Sequence, residues 1–182
     1  MPMPPAPDLS LMSLAEVAKA LAEQRLPPVD QWHPTHCGNS DMRIARDGSW
    51  YHQGGRIDRE AMVRLFASIL RREADGSYVL VTPAEKLDIV VDDAPFVAVE
   101  VKSDGTGHDR NLTFRLNTAD LIVAGADHAL RFDDAPYIHV RGGMEAKVAR
   151  PVYYELANIA LEEGNGPNGL WSDGIFFPMA AA

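Results

Sequence analysis

Cysteine is nearly absent: the 182-residue chain has one, Cys37. A lone thiol closes no internal disulfide, which excludes a small secreted scaffold held by crosslinks. Long apolar runs are also missing, so no membrane-spanning helix is expected. The opening residues MPMPPAPDLS show no basic stretch followed by an apolar one. No secretion signal is therefore expected, and a cytoplasmic protein is the simplest reading. Positive charge is scarce: 17 Lys and Arg stand against 26 Asp and Glu, a formal net charge of −9, with a sequence pI near 5.0. The longest basic run is Arg71-Arg72, too little to neutralise a phosphate backbone, so nucleic-acid binding is not expected. Phosphate-cradling glycine motifs are lacking too. Gly105-Thr106-Gly107 has no third glycine and leads into a strand, and neither a Walker loop nor a G-x-S-x-G elbow occurs.

What is present is an ordinary globular composition, 46% hydrophobic and 24% charged, enough for a real core in one medium domain or two small ones. Met1 to Leu9 is proline-rich and reads as loose. Ser13-Leu14-Ala15-Glu16 is a capping box, and Leu14, Val17, Ala18 and Leu21 then form one helical stripe that Pro27-Pro28 ends. Asp47-Gly48 and Gly54-Gly55 mark hairpin turns. Asp58 opens a second helix with Met62, Leu65, Phe66, Ile69 and Leu70 inward, running to Asp75-Gly76. Ser77 to Val81 reads as a strand. Thr82-Pro83-Ala84-Glu85 is another capping box, good for about one helical turn. Short β segments follow through Phe132, with SDGTGHDR as a polar loop. A last helix opens at Pro151 and runs to Glu163, with Gly164 as its terminator and turns to Gly169. The fold class is α+β, mostly antiparallel.

Two internal repeats compete. Asp92-Asp93-Ala94-Pro95 recurs as Asp133-Asp134-Ala135-Pro136, 41 residues on; a longer similarity aligns Arg59 with Arg150, 91 residues on. The longer one spans a hairpin, a helix and a strand, a unit that can bury an apolar face, so it is preferred. The tetrapeptides are then Asp-Pro turns launching strands. This predicts a tail and amphipathic helix over 1–30, a first α+β unit over 31–91, and a second over 92–182. The second unit includes a crossover from Phe96 to Phe132.

RDGSWYHQGGRI, LVTPAEKLDIVVDDAPF and VRGGMEA together resemble the bacterial family known as domain of unknown function 1285, over roughly Cys37 to Pro178. The resemblance implies a two-part α+β protein with repeated structural motifs and a role in ligand sensing or signal transduction. It brings no catalytic residues.

Several clusters carry chemistry. His33, His36 and Cys37 are zinc-type donors within five residues, with His52 or Asp41 as extra candidates, but a fourth ligand at suitable spacing is missing. Cys37 beside His36 invites a nucleophile reading; adjacent residues on extended chain point apart, so a base would come from His52 or His139. Asp92-Asp93 near Glu85-Lys86 suits turn chemistry better than acid–base work. Arg141-Gly142-Gly143 is a turn where, with Arg115 and Asn117, an anion-recognising wall is conceivable.

The expected function is a non-enzymatic ligand-binding or signalling module with a small anionic ligand, sited in a cleft between the two units. Its expected lining is Trp50, His52, Glu85, Lys86, Arg115, Asn117 and Arg141. Trp50 stacks, the arginines hold the anion and Glu85 orients Lys86. No cofactor is expected. The competing class is a hydrolase-type enzyme, metal-dependent or Cys/His-based, using His33, His36, Cys37 and His52. A third is a protein that docks a partner or a second copy through the helix from Ser13 to Leu26.

Overall fold

The computed structural model describes residues 9–164 and 169–179; residues 1–8 of the stretch expected to be loose, and residues 165–168 of the expected turns, lie outside them. The chain divides into two compact units. One comprises residues 24–95 with 142–144, the other residues 9–23, 96–141 and 145 onward. No helix among the described residues is long and apolar enough to cross a membrane.

The first unit is a six-stranded sheet in the order β3-β2-β1-β6-β5-β4. Strand β1 (His36–Ile44) turns at Asp47-Gly48 into β2 (Trp50–His52), which turns into β3 (Gly55–Arg56). Gly48 takes φ +88°, and the Asp47 carboxylate accepts the Ser49 amide at 2.9 Å, closing the first turn. The second turn is Gln53-Gly54, with φ of +51° and +82°, one residue before the glycine pair expected. Two left-handed residues in a row make the primed turn whose twist suits a hairpin. The return half is β4 (Leu70–Arg72), β5 (Tyr78–Val81) and β6 (Glu85–Val91). β6 closes the sheet by pairing parallel to β1, from His36 opposite Glu85 to Ile44 opposite Val91.

Helix α2 (Glu60–Ser68) is shorter than its apolar stripe predicts. Ile69 leaves helical geometry and Leu70 to Arg72 pair with β5. The Ser68 hydroxyl donates to the Leu65 carbonyl at 2.6 Å, occupying a carbonyl of the last turn. Asp75-Gly76 is a hairpin turn rather than a helix stop: the Asp75 carboxylate accepts the Ser77 amide at 2.9 Å, and Gly76 takes φ +88°. A hairpin anchored there pulls the preceding residues into a strand, overriding their helical periodicity. Thr82 likewise uses its capping chemistry without a helix. Its Oγ1 accepts the Ala84 and Glu85 amides at 3.2 and 3.1 Å, inside the tight β5–β6 turn.

The second unit repeats the topology. Its strands are β7 (Phe96–Asp104), β8 (Asn111–Leu116), β9 (Leu121–Val123), β10 (Leu130–Phe132), β11 (Pro136–Arg141) and β12 (Met144–Val148). Their order is β10-β11-β12-β7-β8-β9, with β12 parallel to β7. Residues 96–132 are thus the body of this sheet and not a crossover. Each sheet is two three-stranded meanders with its first and last strands parallel at the centre. His36 and Phe96 open equivalent strands, as do Leu70 and Leu130, each pair 60 residues apart.

Both units contain the expected hairpin, helix and strand. The 91-residue offset, however, matches helices and not sheets: α2 joins the third strand to the fourth, whereas α3 (Arg150–Glu162) follows the sixth. The first Asp-Asp-Ala-Pro leads into β7 and the second leads from β10 into β11, so both launch strands.

Helix α3 starts with Pro151 in its first turn and buries Val152, Leu156 and Ala160, spaced four apart. Each large aliphatic side chain so buried contributes roughly 1.5–3 kcal/mol. A hairpin of β13 (Gly169–Ser172) and β14 (Ile175–Pro178) follows. The fully buried Ser172 hydroxyl donates to the Ala124 carbonyl at 2.7 Å and accepts the Leu112 amide at 2.9 Å. Helix α1 (Leu14–Glu23) also belongs to this unit. Its capping box forms: the Ser13 amide donates to Glu16 at 2.6 Å, and the Glu16 amide to the Ser13 hydroxyl at 3.2 Å. Those bonds hold the Glu16 carboxyl below its ordinary value. Val17, Ala20 and Leu21 face the core with Leu9 and Leu121, while Leu14 is 54% exposed. The buried stripe is rotated from the one the apolar spacing predicts.

Candidate functional site

In the first unit, α2 lies over one face of the sheet and leaves a cavity of about 510 Å³. Met42, Leu80 and Leu87 line it from β1, β5 and β6. Met62 and Phe66 line it from α2, with Ile57 and Ile69 from the segments flanking the helix. Its polar groups come from Asn39, Ser40, Asp41, His52, Thr82 and Glu85.

The polar side is shaped by an irregularity in β1. The register with β6 slips between Asn39 and Met42, and Asp41 is left-handed at φ +55°. Such a conformation costs an ordinary residue on the order of 1 kcal/mol, less for Asp or Asn. Local hydrogen bonds hold it in place. Asn39 Oδ1 accepts the Asp41 amide at 2.8 Å; Ser40 Oγ donates to the Asp88 carbonyl at 2.7 Å and accepts the Met42 amide at 3.1 Å. The Asp41 carbonyl accepts the amide of the equally left-handed Gln53 at 2.9 Å. The Asn39 and Ser40 side chains, with the backbone of Asp41, therefore build the bulge beside His52.

Trp50 supports the roof from within the core. It is 1% exposed, and its ring lies against Phe66. Of the other residues expected to form a binding site, His52 and Glu85 line the cavity. Lys86 follows Glu85 on the strand and its ammonium lies 3.5 Å from Glu73, so Glu85 does not orient it. Glu73 also takes Arg71 at 2.9 Å, and that guanidinium is the main cause holding its carboxyl below the ordinary value. Arg71 in turn donates to the Val29 and Trp32 carbonyls, securing the segment that leads into β1.

Arg115, Asn117 and Arg141 belong to the second unit. Arg115 donates to Glu100 at 2.5 Å, and Glu100 also accepts the Leu9 amide at 2.9 Å. Asn117 Oδ1 accepts the Val97 amide at 3.0 Å, while the Asn117 amide donates to the Val97 carbonyl. Arg141 lies over the Phe96 ring at 5.1 Å. Burial pushes its guanidinium below the ordinary value, with Asp120 pulling the other way. Gly142 and Gly143, at φ +56° and +78°, form the turn after it.

His36 and Cys37 lie on β1, and His36 Nε2 is 4.0 Å from Glu85. Cys37 is exposed, with its thiol 3.8 Å from the Thr35 carbonyl. Among the described residues, no group of three His, Cys, Asp or Glu side chains is placed to hold a metal ion.

Sequence reasoning missed Asn39, Ser40 and Thr82 as site residues, and weighed Asp41 only as a metal donor. The available signal was Asn-Ser-Asp inside a β stretch: short side chains that bond their own backbone mark a bulge.

Comparison with known proteins agrees with the two-part organisation. Residues 27–94 match the N-terminal domain and residues 95–179 the C-terminal domain of the family described as domain of unknown function DUF1285. No curated protein matches the chain. The fold is similar to a crystal structure of a DUF1285 family protein from Silicibacter pomeroyi DSS-3, with TM-score 0.77 and 43% identity, covering 93% of this chain and 96% of that one. A DUF1285 family protein from Shewanella baltica OS155 is similar with TM-score 0.52 and 28% identity, covering 64% of this chain and 90% of that one. With both halves matched by the family's two domains, this chain belongs to the DUF1285 family.

Proposed function

We propose that the protein is a small-molecule-binding module whose site is the cavity beneath α2. The observation that carries this reading is the cavity itself. At about 510 Å³, with an apolar lining and a few convergent polar groups, it has the size and composition of small-ligand sites. The left-handed Asp41 supports it, since an uncommon backbone conformation held by a local hydrogen-bond network tends to collect at ligand sites. An anion is not what this cavity favours, because its lining contains Asp41 and Glu85 and neither Lys nor Arg.

A sensing role, as in signal transduction, follows if occupancy alters α2. This nine-residue helix carries Leu65 63% exposed on its outer side, so a ligand under Met62 and Phe66 would change how firmly an apolar surface is held. The test is isothermal titration with 4-phenylbutanol, a neutral probe with an apolar body, against wild type and Met62→Trp. Binding to wild type and its loss in a folded Met62→Trp protein supports the reading. No binding, or binding that Met62→Trp leaves unchanged, overturns it.

A further inference from the structure

We infer that the cavity beneath α2 selects an amphipathic cation, an amine carried on an apolar body; this rests on the cavity being the ligand site. The cavity makes the site, and the hydrogen-bonding capacity left on its polar side decides the charge of the occupant. The hydroxyl protons there are engaged: Ser40 Oγ donates to the Asp88 carbonyl at 2.7 Å and Thr82 Oγ1 to the Glu85 carbonyl at 3.5 Å, while the Asn39 side-chain amide and the His52 ring keep donor capacity.

The two carboxylates, by contrast, have acceptor capacity to spare. Among the described residues no hydrogen bond or ion pair reaches the Asp41 carboxylate, and the partner nearest the Glu85 carboxylate is His36 at 4.0 Å. An ammonium offers three donors and no acceptor, which matches this surplus. The cations nearby in sequence are held elsewhere: Lys86 and Arg71 by Glu73, and Arg43 by Asp92. None of the three lines the cavity.

Asp41 is exposed and the Glu85 side chain is 45% exposed, so the two carboxylates draw a cationic head to the rim of the cavity with a modest, solvent-screened attraction that adds across the pair. The net charge of −9 adds attraction at longer range. Met42, Leu80, Leu87 and Phe66 would take the apolar body.

The experiment titrates the full chain with 4-phenylbutylamine, 4-phenylbutanol and 4-phenylbutyrate, which share a body and differ in head. Wild type should bind the amine about tenfold more tightly than the alcohol, and the butyrate least. The doubly substituted Asp41→Asn/Glu85→Gln protein should bind amine and alcohol alike. Asn suits Asp41 because it tolerates the left-handed backbone. Butyrate binding as tightly as amine, or an amine preference that survives the double substitution, overturns the inference. Alcohol binding without amine preference sinks this inference and leaves the cavity reading standing. No binding by any probe sinks both.

Discussion

Trp50 and Phe66 lie ring against ring, with centroids 6.5 Å apart and planes 17° from parallel. The pair joins the buried start of β2 to the helix that roofs the cavity, so the cavity depends on a core contact. Trp50→Ala should therefore destabilise the protein by about 3–5 kcal/mol, as deleting a large buried aromatic does. Phe66→Leu should cost about 1–2 kcal/mol and weaken probe binding in the folded protein. Urea denaturation with titration of the folded variants measures both.

Ser172 predicts a different loss. Its hydroxyl serves one buried donor and one buried acceptor on separate elements. Ser172→Ala strands both and should cost about 1–3 kcal/mol. Probe binding in the other unit should be unchanged once the protein is folded.

Two glycines with similar backbone angles should respond unequally. Gly54 has φ +82° and open space where a Cβ would point. Gly54→Ala should cost about 1 kcal/mol, the conformational term alone. Gly105 has φ +79°, and a Cβ there would lie 2.5 Å from the Asp109 carbonyl oxygen. Gly105→Ala adds displaced backbone and should cost roughly twice as much or more. Equal melting temperatures for the two variants would contradict this.

Acid sensitivity should run partly through Glu73. Arg71 and Lys86 hold its folded value below the ordinary 4.5, so its contribution is complete above that ordinary value and fades as pH falls through the folded one. Glu73→Gln should thus be less stable than wild type at neutral pH, and the gap should narrow on acidification below about 4.5. Denaturation midpoints across pH 2–7 would show it; a constant gap would contradict it.

Much of the local structure was legible because it follows from nearest neighbours. The Asp47-Gly48 turn, the Ser13–Glu16 box and the Pro151 helix start each need only a few adjacent residues. Leu70 to Arg72 misled because their helical spacing is overridden by a hairpin with residues six to ten positions away. The parallel pairing of β1 with β6 links residues nearly fifty positions apart, and no local pattern announces it. That pairing also sets the 60-residue correspondence between the sheets, hidden behind a coincidence of helix starts. At the cavity, His52 and Glu85 stood out as polar residues in strands. Asn39 and Ser40 did not, because their role comes from a register slip against a distant strand.

The central claim, that the cavity beneath α2 is the ligand site, is tested most directly by mapping amide shifts while 4-phenylbutanol is added. The account predicts concentration-dependent shifts at Ser40, Asp41, Phe66, Leu80, Thr82 and Leu87, with β8 to β11 unmoved. Shifts confined to the second unit, or none at saturating probe, would contradict it.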